Sequence, residues 1–204
     1  MLTFILMTLF VVMSPGVDTA LITKRTIAGG KKDGLLMAMG ITAGSLGHTL
    51  AATLGLSALV LQSAMAFSIL KWVGAIYLIY LGIQSLIAKK KPDSDSDSAA
   101  ERNTKGTPFK EGFLSNLLNP KVAIFFITFL PQFVSSQENA MLELFGMGSC
   151  YAILSILWFV FYVFCLTYIR EWLMSATVQN YMEKLTGIVL IGFGVKLLFT
   201  QHKA

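Results

Sequence analysis

Six stretches of this chain are long and apolar enough to cross a bilayer, and nothing else in the sequence limits the fold as strongly. Crossing roughly 30 Å of hydrocarbon at 1.5 Å per residue takes about 20 mostly apolar residues in a helix. The stretches run from about Leu2 to Thr23, Leu35 to Leu61, Ile69 to Ala88, Phe113 to Val134, Met141 to Tyr168 and Tyr181 to Phe199. Only 13% of the 204 residues are charged and the mean hydropathy is +0.68, so lipid is the expected solvent. Membrane strands would alternate apolar and polar residues, which runs such as Leu78 to Leu81 and Val122 to Leu130 do not do. The first stretch has no basic start and no small-residue cleavage site, so it reads as a retained helix, not a signal peptide.

The basic residues give the orientation. The first connection carries Lys24, Arg25, Lys31 and Lys32, the third carries Lys89, Lys90, Lys91, Arg102, Lys105 and Lys110, and the fifth carries Arg170 and Lys184. The second and fourth carry none outside the helices. The positive-inside rule then makes the odd-numbered connections cytoplasmic and places both termini outside. This topology accounts for the pI of 9.2 without nucleic acid as a partner. Trp72 and Trp172 fall where interfacial anchors belong. Cys150 and Cys165 are 15 residues apart on one stretch, about 22 Å on a straight helix, so they cannot pair and are expected to be structural thiols.

The long polar connection, residues 89–110, divides the chain into a first half, 1–88, and a second, 111–200. Its Asp93, Asp95 and Asp97 resemble the start of a calcium loop, but Ser98 and Thr104 stand where that loop needs Gly and Glu. The two halves match each other. Ser14 to Thr23 aligns with Asn119 to Thr128 without gaps, and Pro15, Val17, Ile22 and Thr23 coincide with Pro120, Val122, Ile127 and Thr128. With one residue gapped, Gly74, Leu78, Ile79, Gly82 and Leu86 fall on Gly187, Leu190, Ile191, Gly194 and Leu198. An odd number of spans turns the second copy upside down. The expected fold is therefore an all-α membrane protein of six transmembrane helices in a 3+3 inverted-topology repeat, a single transporter domain over 1–204.

In such folds, an interrupted helix from each half meets its counterpart at the core. Pro15-Gly16 and Asn119-Pro120 are the interruptions here, because proline removes an amide donor and blocks the carbonyl four residues earlier. Each is either a packing kink or a place where backbone groups face a ligand. Asp18, three residues past the first break, would cost about 2.5 to 3.5 kcal/mol as a bare charge in the span. It is expected to be hydrated at the interface, or to carry protons or grip a substrate ammonium. Lys121 either snorkels to the surface or pairs with Asp18 or with a substrate anion. Asn116 and Asn119 share one helical face and offer donors and acceptors to a zwitterion.

Gly40, Gly44, His48, Ala51 and Gly55 form one smooth helix face, suited to an internal contact or to a second copy of the chain. His48 on that face is either a packing histidine or a titrating one. No metal-ligand cluster, nucleophile elbow or phosphate-cradling glycine motif is present, so no cofactor is expected and an ion gradient would supply the energy.

At these residues the chain resembles the lysine exporter superfamily, in its homoserine/threonine-exporter (RhtB-like) branch of small six-helix amino-acid exporters. The resemblance rests on Ser14 to Asp18, Gly40 to His48, Gly74 to Gly82, and Phe113 through Asn116 and Lys121 to Phe133. It implies proton-driven export of amino acids or close derivatives across the bacterial cytoplasmic membrane. One departure is visible: Val17 stands where the family's first break usually has a second proline. The competing readings are a small intramembrane enzyme, for which Asp18 with His48 is the sole pair, and a metal-cation exporter of the same superfamily.

Overall fold

A computed structural model describes residues 2–62, 64–87, 107–135, 138–173 and 175–199. Most of the connection between the halves, with Asp93 to Asp97, and the tail with His202 lie outside the described residues. So does the side chain of Trp172. What is described is helical: α1 (Leu2–Met13), α2 (Val17–Gln62), α3 (Ala64–Ile87), α4 (Pro108–Leu117), α5 (Pro120–Phe129) with a 3-10 turn over Leu130–Phe133, α6 (Ala140–Leu173) and α7 (Ala176–Phe199).

Among the described residues two helical stretches, Val17–Leu56, which includes the turn at Gly30, and Ala140–Leu166, are long and apolar enough to cross a membrane. There are three if Pro108–Leu117 and Pro120–Phe133, bent by 51° at their junction, count as one broken span. Leu2–Met13 and Trp72–Ile87 are shorter apolar helices. The described residues are thus all-α, as suits a membrane protein. Its outer surface is correspondingly apolar, with Trp72, Ile76, Leu157 and Phe161 all more than half exposed.

The first apolar stretch differs from its expected limits. It is broken at Ser14–Gly16, and helix continues past Thr23 through the residues expected to form a loop. The turn comes at Gly30, with φ 77° and ψ −174°, a conformation essentially reserved for glycine. Thr26 and Gly34 would be about 12 Å apart in a straight helix, yet a Cβ on Gly34 would touch the Thr26 hydroxyl. The chain therefore folds back at Gly30. Lys24, Arg25, Lys31 and Lys32 look like loop residues because they are charged, but the helices on either side of Gly30 include them.

Glycines set the closest helix contacts. A Cβ on Gly44 would lie 3.0 Å from the Phe113 carbonyl, and one on Gly112 3.1 Å from the Ile41 amide, so α2 and α4 touch backbone to backbone. The Gly40 and Gly44 part of the smooth face therefore meets α4, an internal contact, while a Cβ on Gly55 would meet nothing within 4 Å among the described residues. Gly82 and Gly187 would each drive a Cβ to 2.7 Å from the other's carbonyl, and Gly194 to 2.8 Å from that of Ala75. The pairing descends along α3 as it ascends along α7, so these two helices run antiparallel. Cys150 and Cys165 are free and partly buried.

Candidate functional site

The two breaks come together. α1 ends at Met13, and the first turn of α2 is closed by the Ala20 amide donating to the Gly16 carbonyl at 2.9 Å. The amides of Val17, Asp18 and Thr19 are thereby left without intrahelical acceptors. At the second break Asn119 caps α5, its Oδ1 accepting from the Lys121 amide at 3.0 Å, with Pro120 in the first position where its missing donor costs nothing. Both helix starts line one cavity of about 30 Å³, room for one or two waters. Gly16, Val17, Asp18 and Thr19 enter it from the first break, Asn119, Lys121 and Val122 from the second. Two positive helix ends converge there.

Asp18 lies at the wall of this cavity. Its Oδ2 accepts from Asn116 Nδ2 at 2.9 Å, whereas Oδ1 is buried without a hydrogen-bond partner. Lys121 does not snorkel away: it lines the same cavity, its ammonium 3.9 Å from where a Cβ on Gly16 would stand. No ion pair joins it to Asp18 among the described residues. The site thus holds one acid and one base with a gap between them.

Asn116, 1% exposed at the end of α4, is the hub. Its side-chain Oδ1 accepts from Ser45 Oγ at 3.3 Å. Its backbone carbonyl accepts from the Asn119 amide at 3.0 Å and from His48 Nε2 at 3.1 Å. A carbonyl only accepts, so His48 carries its proton on Nε2. The imidazole stacks on Phe126 at 5.6 Å. Asp18, Asn116, Asn119, Pro120, Lys121, His48 and the Pro15-Gly16 break thus meet at one place.

Several residues of the site had no sequence signal. Tyr151 and Phe159, two turns apart on α6, supply its apolar wall with Val11, Val12 and Val122. On a helix apolar all round, no periodicity separates a cavity-facing aromatic from a lipid-facing one. Ser45 looks like one more small residue beside Gly44. Arg25 and Glu111 form an ion pair, each side chain 15–17% exposed, below the cavity on the basic side. Asp18 with Asn116 and Arg25 with Glu111 both join segment 17–29 to α4, which therefore run antiparallel.

The sequence matches the model of the LysE type translocator family over residues 9–201. This chain belongs to the LysE type translocator family. It is 36% identical over 203 residues, 96% of this chain and 97% of the other, to uncharacterized membrane protein YrhP of Bacillus subtilis (strain 168). It is 26% identical over 200 residues to the leucine efflux protein of Enterobacter sp. (strain 638), covering 96% and 93% of the two chains. The leucine efflux protein of Klebsiella pneumoniae is likewise 26% identical, over 203 residues, with 98% and 95% covered. No solved structure matches. The expected resemblance is borne out, and with it a translocator of small molecules, not an enzyme. Family, bacterial relatives and apolar helices together make a multi-pass membrane protein of bacterial type.

Proposed function

We propose that this LysE type translocator exports amino acids across the bacterial cytoplasmic membrane in exchange for protons. The basic end, with Arg25, faces the cytoplasm and both termini face outward. The observation that carries the reading is the placement of Asp18 and Lys121 at two helix breaks around one cavity. A substrate ammonium sits against the unpartnered Asp18 Oδ1, and the substrate carboxylate against Lys121 and the free amides of Val17, Asp18 and Thr19. The side chain then meets Val11, Val12, Val122, Tyr151 and Phe159, which favours neutral, apolar amino acids of the kind named for the leucine efflux relatives. Among the described residues no three His, Cys, Asp or Glu side chains gather as a metal site would need, which favours the amino acid over a metal cation as cargo.

The mechanical part of the proposal is an inverted repeat. α1 with segment 17–29 corresponds to α4 with α5, segment 31–62 to α6, and α3 to α7. Rocking of the halves about the Pro15 and Pro120 breaks opens the cavity to one side at a time, and it must open, since about 30 Å³ does not admit an amino acid. Asp18 exchanges its proton for the substrate ammonium in the cycle. Efflux from cells overproducing the protein and loaded in turn with leucine, methionine, threonine and lysine tests this. Leucine and methionine should leave fastest, and Asp18→Asn should fall to empty-vector rates at unchanged membrane abundance. Normal efflux by that variant would remove Asp18 from the mechanism.

A further inference from the structure

Ser45 stands behind Asn116, out of reach of the cavity, and it is fully buried. Its single hydroxyl proton has two acceptors at nearly equal range: the Ile41 carbonyl at 3.2 Å and Asn116 Oδ1 at 3.3 Å. It can give that proton to only one of them at a time. Asn116 in turn presents Nδ2 to Asp18 Oδ2 and Oδ1 to Ser45. This arrangement fits an ionised Asp18, which accepts and cannot donate.

Once Asp18 takes up a proton on Oδ2, the oxygen that faces Asn116, that oxygen becomes a donor, and the amide answers it by turning over. Half a turn of the Asn116 side chain exchanges Oδ1 for Nδ2 with no backbone movement. Oδ1 then accepts from the Asp18 carboxyl. Nδ2 donates to Ser45 Oγ, whose own proton swings to the Ile41 carbonyl. Asn116, Ser45 and the Asp18 oxygen that faces them keep a partner in both states, while Asp18 Oδ1 is left to the substrate. The backbone of Asn116 stays still meanwhile, because its carbonyl is held by His48 and by the Asn119 amide.

We propose that Ser45 and Asn116 form a two-position amide switch that follows the protonation of Asp18, with Ser45 as a positioning residue. The inference rests on the proton-exchange reading above and names what lets one buried carboxyl serve both halves of that cycle. The other titratable groups facing this spot are Lys121 from α5, His48 from α2 and Tyr151 from α6. Among the described residues none of these three hydrogen-bonds the Asn116 side-chain amide, which is shared by Asp18 and Ser45, so the switch belongs to Ser45.

The test is infrared difference spectroscopy between acid and alkaline pH on the purified full chain in liposomes, with isotope-labelled asparagine. In the unaltered protein a protonated-carboxyl band that Asp18→Asn removes should appear together with a shift in the asparagine amide bands. In Ser45→Ala the carboxyl band should persist while the amide shift disappears, and export per molecule should fall roughly fivefold, the loss of about one buried hydrogen bond. Ser45→Thr, which keeps the hydroxyl, should restore both. An amide shift unchanged in Ser45→Ala, or no amide shift while the Asp18 band titrates, would overturn the switch and leave the proton-exchange reading standing. If Asp18→Asn leaves the carboxyl band in place, it is that underlying reading that fails.

Discussion

The two ends of the broken helices are closed by opposite chemistry. At the basic end, segment 17–29 and α4 are joined by two polar rungs, Asp18 with Asn116 and Arg25 with Glu111. At the other end, α1 meets α5, the 3-10 turn and α7 through phenyl rings. Phe4 lies 5.5 Å from Phe133, and Phe129 lies 4.8 Å from Phe133 and 4.9 Å from Phe193. Polar rungs are directional and few, so a change of charge can rearrange them, and a competing ion pair can undo them, one at a time. Stacked rings hold by area and shape, with small individual terms and broad tolerance of geometry. One end can therefore respond to charge, whereas the other can respond only to displacement.

Changes at the polar end should therefore have the largest effects. Glu111→Lys sets two cations against each other at a partly buried position, where like charges cost several kcal/mol. Export per molecule should drop at least about tenfold. Exchanging both charges, Arg25→Glu with Glu111→Arg, should recover most of it in the same efflux assay. If the double variant is no better than the single one, the rung is not a charge-dependent latch.

Gly30 comes next, since it folds segment 17–29 back so that Arg25 reaches α4. Gly30→Ala must hold a side chain at φ 77°, a strain of about 1 to 3 kcal/mol. Among the described residues no neighbour lies within 4 Å of the new methyl group, so the loss comes from the backbone. A lowered unfolding temperature in detergent is expected, with Gly34→Ala losing stability by a different route, through contact with Thr26 and Val163. An unchanged unfolding temperature for Gly30→Ala would show that the turn is not where the structure puts it.

The ring end should give the smallest effect. Phe133→Leu keeps most of the volume, and volume-conserving apolar exchanges usually cost under about 1.5 kcal/mol. Efflux and its dependence on pH should both stay near the unaltered level. A large change in the pH profile here would erase the distinction between the two ends.

What the sequence made legible follows from which residues are costly in lipid. Pro15 and Pro120 stand out because a missing amide and a blocked carbonyl cannot be hidden in hydrocarbon. Asp18 stands out because a carboxylate in an apolar stretch is expensive wherever it points. Both breaks and the acid beside them were therefore visible, and the structure brings them to one cavity. Arg25 and Glu111 were not, because charges near a span end are cheap and look like solvated loop residues until a partner is seen. The reach of α2 past Thr23 was hidden for the same reason. Ser45 was hidden by size: a serine beside glycines on a tight face satisfies packing equally well, and only its distance to Asn116 gives it a role.

The most direct test of the central claim uses purified protein in liposomes loaded with labelled leucine, under an imposed pH gradient of either sign. Leucine should move against the direction of proton flow at a rate set by the gradient, with proton movement recorded alongside it, and Asp18→Asn should abolish the gradient-driven part of both. Equal gradient-driven leucine and proton movement in Asp18→Asn would contradict the account.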